Sequence, residues 1–441
     1  MTAIDLLLPA EPKAPGTSHL AQAWRNATSH CIKCGFCLPV CPTYSVLGVE
    51  AASPRGRLDL MDAVAQGRLA LGTVAGRVGQ CLGCLACETA CPAGIRYGQM
   101  FEALQCDMGT QRRGWRRWRA RLLLDGVLAR PRVLRAVVLA LRVYQRSGLQ
   151  RLLRSSGLLR LLGLAGREGR LPPLPRPLAW RAEVEFGAPP GTDATTTGGA
   201  QRAALFTGCV MDAAFGAVHA ATAHVLAANG VQCALPAGQR CCGALHAHAG
   251  ETASARRLAR ANIAAFETVG DAPVVLNSAG CGAFMKRYGT LLADDPAWAP
   301  RAAALAARVR DVSEFLAVRT LVPPTRAVAL RVAYDDPCHL VHAQGISREP
   351  RDLLRAIPGL TLVELPESTW CCGSAGSYSL QHPELAGDVL ARKMRHLAAA
   401  RVDVVATGNP GCLLQLALGI SRQGLDVDVR HPIELLAQAY P

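Results

Sequence analysis

The chain has 441 residues, of which half are hydrophobic and 18% are charged, and its formal net charge at pH 7 is +15. This composition excludes an intrinsically disordered protein, and the length predicts about three domains. No apolar run reaches the ~18–20 residues of a membrane-spanning helix, and Asp5 near the start argues against a secretory signal. The 18 cysteines therefore predict metal or redox sites, because disulfides are rare in proteins that are not exported.

Two cysteine motifs of identical spacing occur near the start of the chain. Each reads Cys-x2-Cys-x2-Cys-x3-Cys-Pro, which is typical of ferredoxin-type [4Fe–4S] clusters. In this arrangement three cysteines of one motif bind one cluster, and the fourth binds the neighbouring cluster. The first predicted cluster has the ligands Cys31, Cys34, Cys37 and Cys91. The second has the ligands Cys81, Cys84, Cys87 and Cys41. Zinc fits less well, since zinc sites usually combine two separated Cys-x2-Cys pairs.

The segment between the two motifs, PRGRLDLMDAVAQGRLA, has apolar residues at helical spacing. It predicts that residues 1–110 form an α-helical ferredoxin-like domain. Cys106 lies alone on a helix-like stretch, and we expect it to be a buried small side chain rather than a ligand.

Basic charge is concentrated in the next segment, residues 111–200. Its part from 112 to 170 contains 16 arginines against Asp125 and Glu168, a net charge of +14. Arg and Leu alternate at near-helical spacing, and Trp115 and Trp118 add aromatic side chains. The pattern predicts either a face for a membrane surface or an acidic partner, or helices that simply pack on the rest of the protein. Nucleic-acid binding is not expected, because no recognised nucleic-acid module accompanies the charge.

The remainder of the chain, residues 201–441, contains a duplication, which we divide into units 201–325 and 326–441. Cysteines recur at offsets of 129, 130 and 131 residues, and each copy contains a Cys-Cys-Gly (CCG) motif. In each copy strand-like runs alternate with helix-like runs, which predicts α/β units with parallel sheets. Each copy has three such runs, and the cysteines follow their carboxyl ends, where ligands bind in open α/β sheets. The fold class is therefore α plus α/β, with a helical ferredoxin-like domain followed by two duplicated CCG units.

Each copy offers four cysteines as a candidate site. The first set is Cys209, Cys241, Cys242 and Cys281, and the second is Cys338, Cys371, Cys372 and Cys412. Either set could hold a further cluster or a zinc ion, form a redox-active vicinal pair, or be a structural or empty site. We expect Cys233 to be a core residue and Trp370 a packing residue. The neighbouring histidines are expected to be ordinary hydrogen-bonded residues, namely His246, His248, His339 and His342.

Several common cofactor-binding and catalytic motifs are missing from the sequence. It contains no G-x-G-x-x-G dinucleotide fingerprint, no P-loop and no G-x-S-x-G elbow. The sequence therefore predicts a protein that passes electrons on, with the organic substrate oxidised by another subunit.

Eight sequence phrases, spread in order over residues 25–441, carry a family resemblance. They are CIKCGFCLPVCPTYSVLG, SPRGRLDLM, CLGCLACETACPAGIRYG, QRCCGALHAH, SAGCGAFMKRYG, PCHLVHAQG, WCCGSAGSYSL and NPGC. Through them the chain resembles the iron–sulfur subunit of bacterial glycolate oxidase (glycolate dehydrogenase). The resemblance is weakest over residues 111–200.

The resemblance implies a complex with FAD-binding subunits that oxidise glycolate to glyoxylate. This chain would be the non-flavin subunit of a 2-hydroxy-acid dehydrogenase with a non-NAD acceptor. It would take electrons from the reduced flavin and deliver them to a membrane acceptor, expected to be quinone. Family members are associated with the cytoplasmic face of the inner membrane, so the same peripheral location is expected here.

Other functions remain open from the sequence. The chain could serve a D-lactate or an anaerobic glycerol-3-phosphate dehydrogenase, whose subunits share these motifs. It could also be a CCG-centred enzyme similar to a disulfide reductase. Heterodisulfide-reductase-type subunits have a further cysteine where this chain has Phe284 and Gln415, which counts against that alternative.

Overall fold

The computed structural model describes residues 18–25, 30–111, 114–175 and 201–441. The N-terminal region is helical, as the sequence predicts. Its helices are α1 (His19–Arg25), α2 (Pro42–Leu47), α3 (Pro54–Ala65), α4 (Leu71–Gly79), α5 (Ala86–Thr89) and α6 (Tyr97–Gln111), with a 3₁₀ turn at Glu50–Ala52. Helix α3 shows why the sequence folds in this way. The Ser53 hydroxyl caps its first turn by accepting from the Gly56 amide at 2.9 Å, and Pro54 occupies the first helical position.

The basic segment is also helical where it is described. It comprises α7 (Gly114–Arg121), a π-helical stretch (Leu122–Leu128), α8 (Pro131–Arg146), α9 (Leu149–Ser155), α10 (Leu158–Leu161) and α11 (Ala165–Glu168). Helix α8 is attached to the first CCG unit, since Arg135 forms an ion pair with Asp212 at 2.6 Å and the buried Arg142 donates to the Ala214 carbonyl. The expected linker at 187–200 lies outside the described residues.

The first CCG unit is built on a parallel sheet of four strands in the order β2-β1-β3-β4. Its strands are β1 (Gln201–Phe206), β2 (Val231–Ala234), β3 (Val274–Leu276) and β4 (Val309–Asp311). Its helices are α12 (Val210–Ala214), α13 (Gly216–Ala228), α14 (Ala244–His248), α15 (Thr252–Glu267), α16 (Ala279–Met285), α17 (Tyr288–Leu291), α18 (Ala299–Arg308) and α19 (Val312–Ala317).

The second unit repeats this plan with the sheet order β6-β5-β7-β8, again all parallel. Its strands are β5 (Arg331–Tyr334), β6 (Thr361–Val363), β7 (Val404–Ala406) and β8 (Asp428–Arg430). Its helices are α20 (Cys338–Gln344), α21 (Glu349–Arg355), α22 (Tyr378–Gln381), α23 (Pro383–Ala400), α24 (Pro410–Gln423) and α25 (Pro432–Gln438). The duplication and the parallel sheets are thus confirmed.

Each unit has one strand more than the three that the sequence indicates. The additional strands, β4 and β8, contain three residues each and lie at one edge of their sheets. Their sequences, VRD and DVR, have one apolar residue each, which is too little hydrophobic pattern to indicate a strand.

The two units share a hydrophobic core, and the N-terminal helices pack against both. Val218 and Val275 of the first unit lie in the same buried cluster as Val332 and Val404 of the second. Within the described residues, no helix is both long enough and apolar enough to cross a membrane.

Candidate iron–sulfur sites

The first cysteine-lined cavity contains all four ligands expected for the first cluster. Its walls include Cys31, Cys34, Cys37 and Cys91, and Cys87 also reaches it. Cys91 comes from the second motif, so the two motifs contribute to one cavity. Four thiols around one cavity are a donor set that suits a [4Fe–4S] cluster.

The second cavity contains the four ligands expected for the second cluster. It is lined by Cys41 of the first motif together with Cys81, Cys84 and Cys87 of the second. Cys87 lines both cavities, which places the two candidate sites side by side. The exchange of the fourth cysteine between motifs is therefore compatible with the fold.

The electrostatics of the second cavity favour neutral thiols unless a cation is present. Burial, followed by repulsion from Cys84 and Cys81, raises the pKa of the Cys87 thiol well above its usual value. Iron supplies the positive charge that such thiolates need. Arg57 adds a second source, because its guanidinium is fully buried at this cavity and donates to the Thr43 hydroxyl at 2.9 Å. Arg57 could not be identified from the sequence, since an arginine in a helix is normally a surface residue.

The four cysteines of the second CCG unit form a chain of contacts. Cys372 Sγ lies 3.4 Å from Cys412 Sγ, and Cys371 contacts both Cys338 and Cys372. Hydrogen bonds from Cys371 and Cys412 lower the pKa of the Cys372 thiol, and the nearby Lys393 ammonium adds to this effect. The fold thus brings the four predicted residues together.

A buried ion pair supports this second set. Lys393 and Asp335 are paired and have side chains only 1% exposed, and Thr407 donates to the same carboxylate at 3.0 Å. Burial raises the pKa of Asp335 to about 6, although the Lys393 ammonium opposes this shift. Local sequence patterns do not indicate the pair, because its two members are far apart along the chain.

The four cysteines of the first CCG unit are also brought together. Cys241 contacts Cys209 and Cys242, and Cys242 in turn contacts Cys281. Hydrogen bonds from Cys209 and Cys242 lower the pKa of the Cys241 thiol well below its usual value.

The second cavity and the second CCG set are neighbours. After burial, the charge of Cys338 is the largest influence raising the pKa of the Cys84 thiol. Leu82 packs in one cluster with Trp370 and Cys371, and the Tyr378 hydroxyl donates to the Gln80 carbonyl at 2.8 Å. The Cys81–Cys87 turn is therefore packed directly against the second CCG unit.

The side chains that were expected to be structural mostly are. Trp370 is buried and donates to the Val389 carbonyl at 3.2 Å, which confirms a packing role. Cys106 is half-buried rather than buried and contacts the Thr252 hydroxyl at 3.0 Å. Cys233 in strand β2 is half-buried against the core, and burial raises the pKa of its thiol to about 12. His342 contacts the Thr89 hydroxyl at 3.0 Å, as expected of a hydrogen-bonded residue.

His248 and His246 differ from the remaining histidines. The ring of His248 packs edge-on to Phe284, with the ring centroids 6.3 Å apart. For His246 the expectation of an ordinary hydrogen bond is wrong, since its fully buried ring has no hydrogen-bond partner at either nitrogen.

Comparison with known families covers most of the chain. The Cysteine-rich domain (CCG) profile matches residues 203–286 and 332–417, and the 4Fe-4S dicluster domain profile matches 27–95. A third profile, described as the linker region of the glycolate oxidase iron–sulfur subunit, matches 115–168. The family similarity therefore extends into the basic segment, where the motif resemblance is weakest.

Individual relatives agree with these profiles. The probable glycolate oxidase iron–sulfur subunit of Bacillus subtilis is 39% identical, and the alignment covers 93% of each chain. The glycolate oxidase iron–sulfur subunit of Escherichia coli is 31% identical with the same coverage. One of the subunits of fumarate reductase (CoM/CoB) from Methanothermobacter marburgensis is 36% identical over 54% of this chain and 46% of its own length. The chain belongs to the glycolate oxidase iron–sulfur subunit family, whose members are electron-transfer components of oxidoreductases.

Proposed function

We propose that this chain is the electron-transfer subunit of a complex that oxidises glycolate to glyoxylate at an FAD-bearing partner. The observation that carries the proposal is the pair of adjacent cavities, lined by five and by four cysteines, with Cys87 reaching both. The two full-length relatives are named as glycolate oxidase subunits, which supports glycolate as the substrate of the complex.

The residues of this chain would hold two [4Fe–4S] clusters and control their surroundings. Cys31, Cys34, Cys37 and Cys91 would bind the first cluster, and Cys81, Cys84, Cys87 and Cys41 the second. When bound, such clusters accept and release single electrons. The protein provides the second cavity with the positive charge of the buried Arg57, which favours the reduced state of a negatively charged centre.

The first cavity is the candidate entry point for electrons. Cys34 is exposed, and the adjacent Ile32 and Phe36 are 68% and 63% exposed. Apolar side chains around an accessible thiol suit contact with a partner protein. We assign this face to the FAD-bearing subunit, because electrons arriving there would be close to the first cluster.

The acceptor is proposed to be a membrane quinone, with the chain bound peripherally to the cytoplasmic face of the inner membrane. In the basic segment Trp115 and Trp118 stack with their ring centroids 4.5 Å apart and are 65% and 51% exposed. Leu161, in helix α10 of the same basic segment, is 83% exposed. Aromatic and aliphatic side chains interspersed with arginine favour an anionic lipid surface.

The electron-transfer role is tested with Cys34→Ser and Cys84→Ser variants of the complete complex. Both should abolish glycolate-dependent reduction of an artificial quinone while leaving the reduction of the flavin by glycolate intact. Cys106→Ser is the matched control, because that thiol contacts only a hydroxyl outside both cavities. Quinone reduction that survives in both cluster variants would contradict the proposal.

The membrane location is tested separately by sedimentation with vesicles. The complex should bind phosphatidylglycerol vesicles more tightly than phosphatidylcholine vesicles, and the double change Trp115→Ser and Trp118→Ser should weaken this binding. A double change at Val318 and Val322 to Ser removes exposed apolar side chains elsewhere and should have no effect. Equal binding by both double variants would contradict a lipid-binding role for the basic segment.

A further inference from the structure

The first CCG unit contains a buried histidine whose two ring nitrogens lack hydrogen-bond partners in the protein. His246 is 0% exposed, and neither Nδ1 nor Nε2 has a hydrogen-bond partner. A buried imidazole without partners is costly, because both of its nitrogens lose their bonds to water. An arrangement of this kind indicates that a group outside the polypeptide completes the site.

The imidazole lies beside the Cys241 thiol, and its helix packs in one buried cluster with the four cysteines of the unit. Helix α14 carries it five residues after Cys241, and the helix begins on these thiols, because the Ala244 amide donates to Cys242 Sγ at 3.5 Å. Cys241 is itself in contact with Cys209 and Cys242. Five soft or borderline donors are therefore concentrated in one buried place, which is the chemistry of a transition-metal centre.

A carboxylate from the basic segment stands behind the imidazole. Asp125, in the π-helical stretch Leu122–Leu128, places Oδ1 3.6 Å from His246 Nε2. Arg257 donates to this carboxylate at 2.8 Å and Ser254 at 3.2 Å, so its position is fixed. Metal-binding histidines commonly have such a carboxylate at the nitrogen that does not bind the metal.

We propose that His246 is the fifth protein ligand of an iron–sulfur cluster in the first CCG unit, together with the four thiols of that unit. Those thiols belong to Cys209, Cys241, Cys242 and Cys281. A single zinc ion in a structural site takes four ligands, and five donors therefore fit a centre with several irons better. Asp125 is a positioning residue, which orients the ring without reaching the cluster.

The imidazole of His246 distinguishes the first CCG unit from the second. The residue five positions after the first cysteine of the second CCG motif is Gly376, so the second unit offers no imidazole there. The second unit has the buried Lys393 beside its thiols instead. A cluster with a nitrogen ligand has a higher reduction potential than one with thiolates alone. The centre of the first unit should therefore be the more readily reduced of the two.

The test is spectroscopic and requires neither glycolate nor the flavoprotein. The full chain is purified anaerobically with ¹⁵N-labelled histidine, and pulsed paramagnetic resonance is recorded during stepwise reduction. We expect one cluster signal coupled to a histidine nitrogen, and its loss in His246→Ala. In His246→Cys the thiolate replaces the imidazole, so iron should be retained, the nitrogen coupling lost and the midpoint potential lowered.

Two further variants make the test specific. His248→Ala, in the same short helix, should retain the nitrogen coupling. Asp125→Asn should retain iron and the coupling but raise the midpoint potential, because a negative charge near the centre is removed. A wild-type chain without histidine coupling in any state, coupling that survives in His246→Ala, or zinc in place of iron would each overturn the proposal. None of these results affects the two ferredoxin-type clusters, whose signals and iron are counted separately.

Discussion

His339 Nε2 lies 3.0 Å from the carbonyl oxygen of Gly83. His339 directly follows Cys338, and Gly83 directly precedes Cys84. This contact therefore joins the second ferredoxin-type cavity to the second CCG set, because each of its two residues is the chain neighbour of a cysteine in one of these sites. It explains why Cys338 raises the pKa of the Cys84 thiol although the two residues are more than 250 positions apart in the chain.

Removal of this contact should loosen the Cys81–Cys87 turn. In His339→Ala the Gly83 carbonyl loses its partner, which costs about 1 kcal/mol and corresponds to roughly fivefold faster hydrogen exchange in the turn. His396→Ala is the control, since His396 forms an exposed ion pair with Glu367 and should leave exchange in the turn unchanged. Unchanged protection in His339→Ala would show that the turn is held by other contacts.

The exchange of fourth ligands between the two motifs predicts a crossed pattern of cluster loss. Cys41→Ser should damage the cluster bound by Cys81, Cys84 and Cys87, because Cys41 lines their cavity. Cys91→Ser should damage the other cluster for the corresponding reason. Cluster-specific paramagnetic signals and iron content distinguish the two. If Cys41→Ser instead abolished the Cys31–Cys34–Cys37 cluster, each motif would bind its own cluster and the crossed assignment would be wrong.

Helix α6 packs closely against the first CCG unit where its Gly109 meets Gly250. Gly250 has a φ of +75°, and a Cβ added there would collide with the Gln105 carbonyl oxygen. Gly270 has a similar φ of +61° but open space around it. Gly250→Ala should therefore lower the free energy of unfolding by about 1–3 kcal/mol more than Gly270→Ala, which has only the backbone strain. Denaturant unfolding measures the difference, and equal effects would mean that the α6 contact adapts at no cost.

The buried pair beside the second CCG set should be sensitive to the loss of its cation. Lys393→Met leaves the Asp335 carboxylate buried without its partner, which costs about 3–5 kcal/mol of folding stability. Lys286→Met provides the comparison, because its pair with Glu314 is partly exposed and should contribute about 1 kcal/mol or less. Asp335→Asn combined with Lys393→Met should recover part of the loss. Equal melting temperatures for the two single lysine variants would contradict this assignment.

Patterns along the chain were sufficient to predict the elements that place the thiols. The apolar runs before Cys209 and Cys338 become β1 and β5, because continuous hydrophobic runs are typical of buried parallel strands. The equal offsets between the two copies likewise predicted the duplicated sheets. The additional edge strands β4 and β8 were missed because each has a single valine among charged residues, so neither forms an apolar run.

Features that depend on distant residues could not be predicted from the sequence. His246 was expected to have an ordinary hydrogen bond, and only the fold shows that its ring is buried near the Cys241 thiol with Asp125 Oδ1 3.6 Å from Nε2. The pairing of Lys393 with Asp335 depends on helix α23 packing beside β5, and local patterns carry no information about such a contact. The cysteine donors could thus be predicted from the sequence, whereas the charged residues beside them depend on the fold.

The central claim is that this chain receives electrons released by glycolate, and one measurement tests it most directly. The complex, isolated anaerobically from native membranes, is mixed with glycolate, D-lactate or glycerol 3-phosphate while the iron–sulfur absorption and the paramagnetic signals are followed. The account predicts that glycolate reduces the clusters of this chain and that the other two substrates do not. Clusters that are present but remain oxidised with glycolate, or that are reduced only by another substrate, would contradict it.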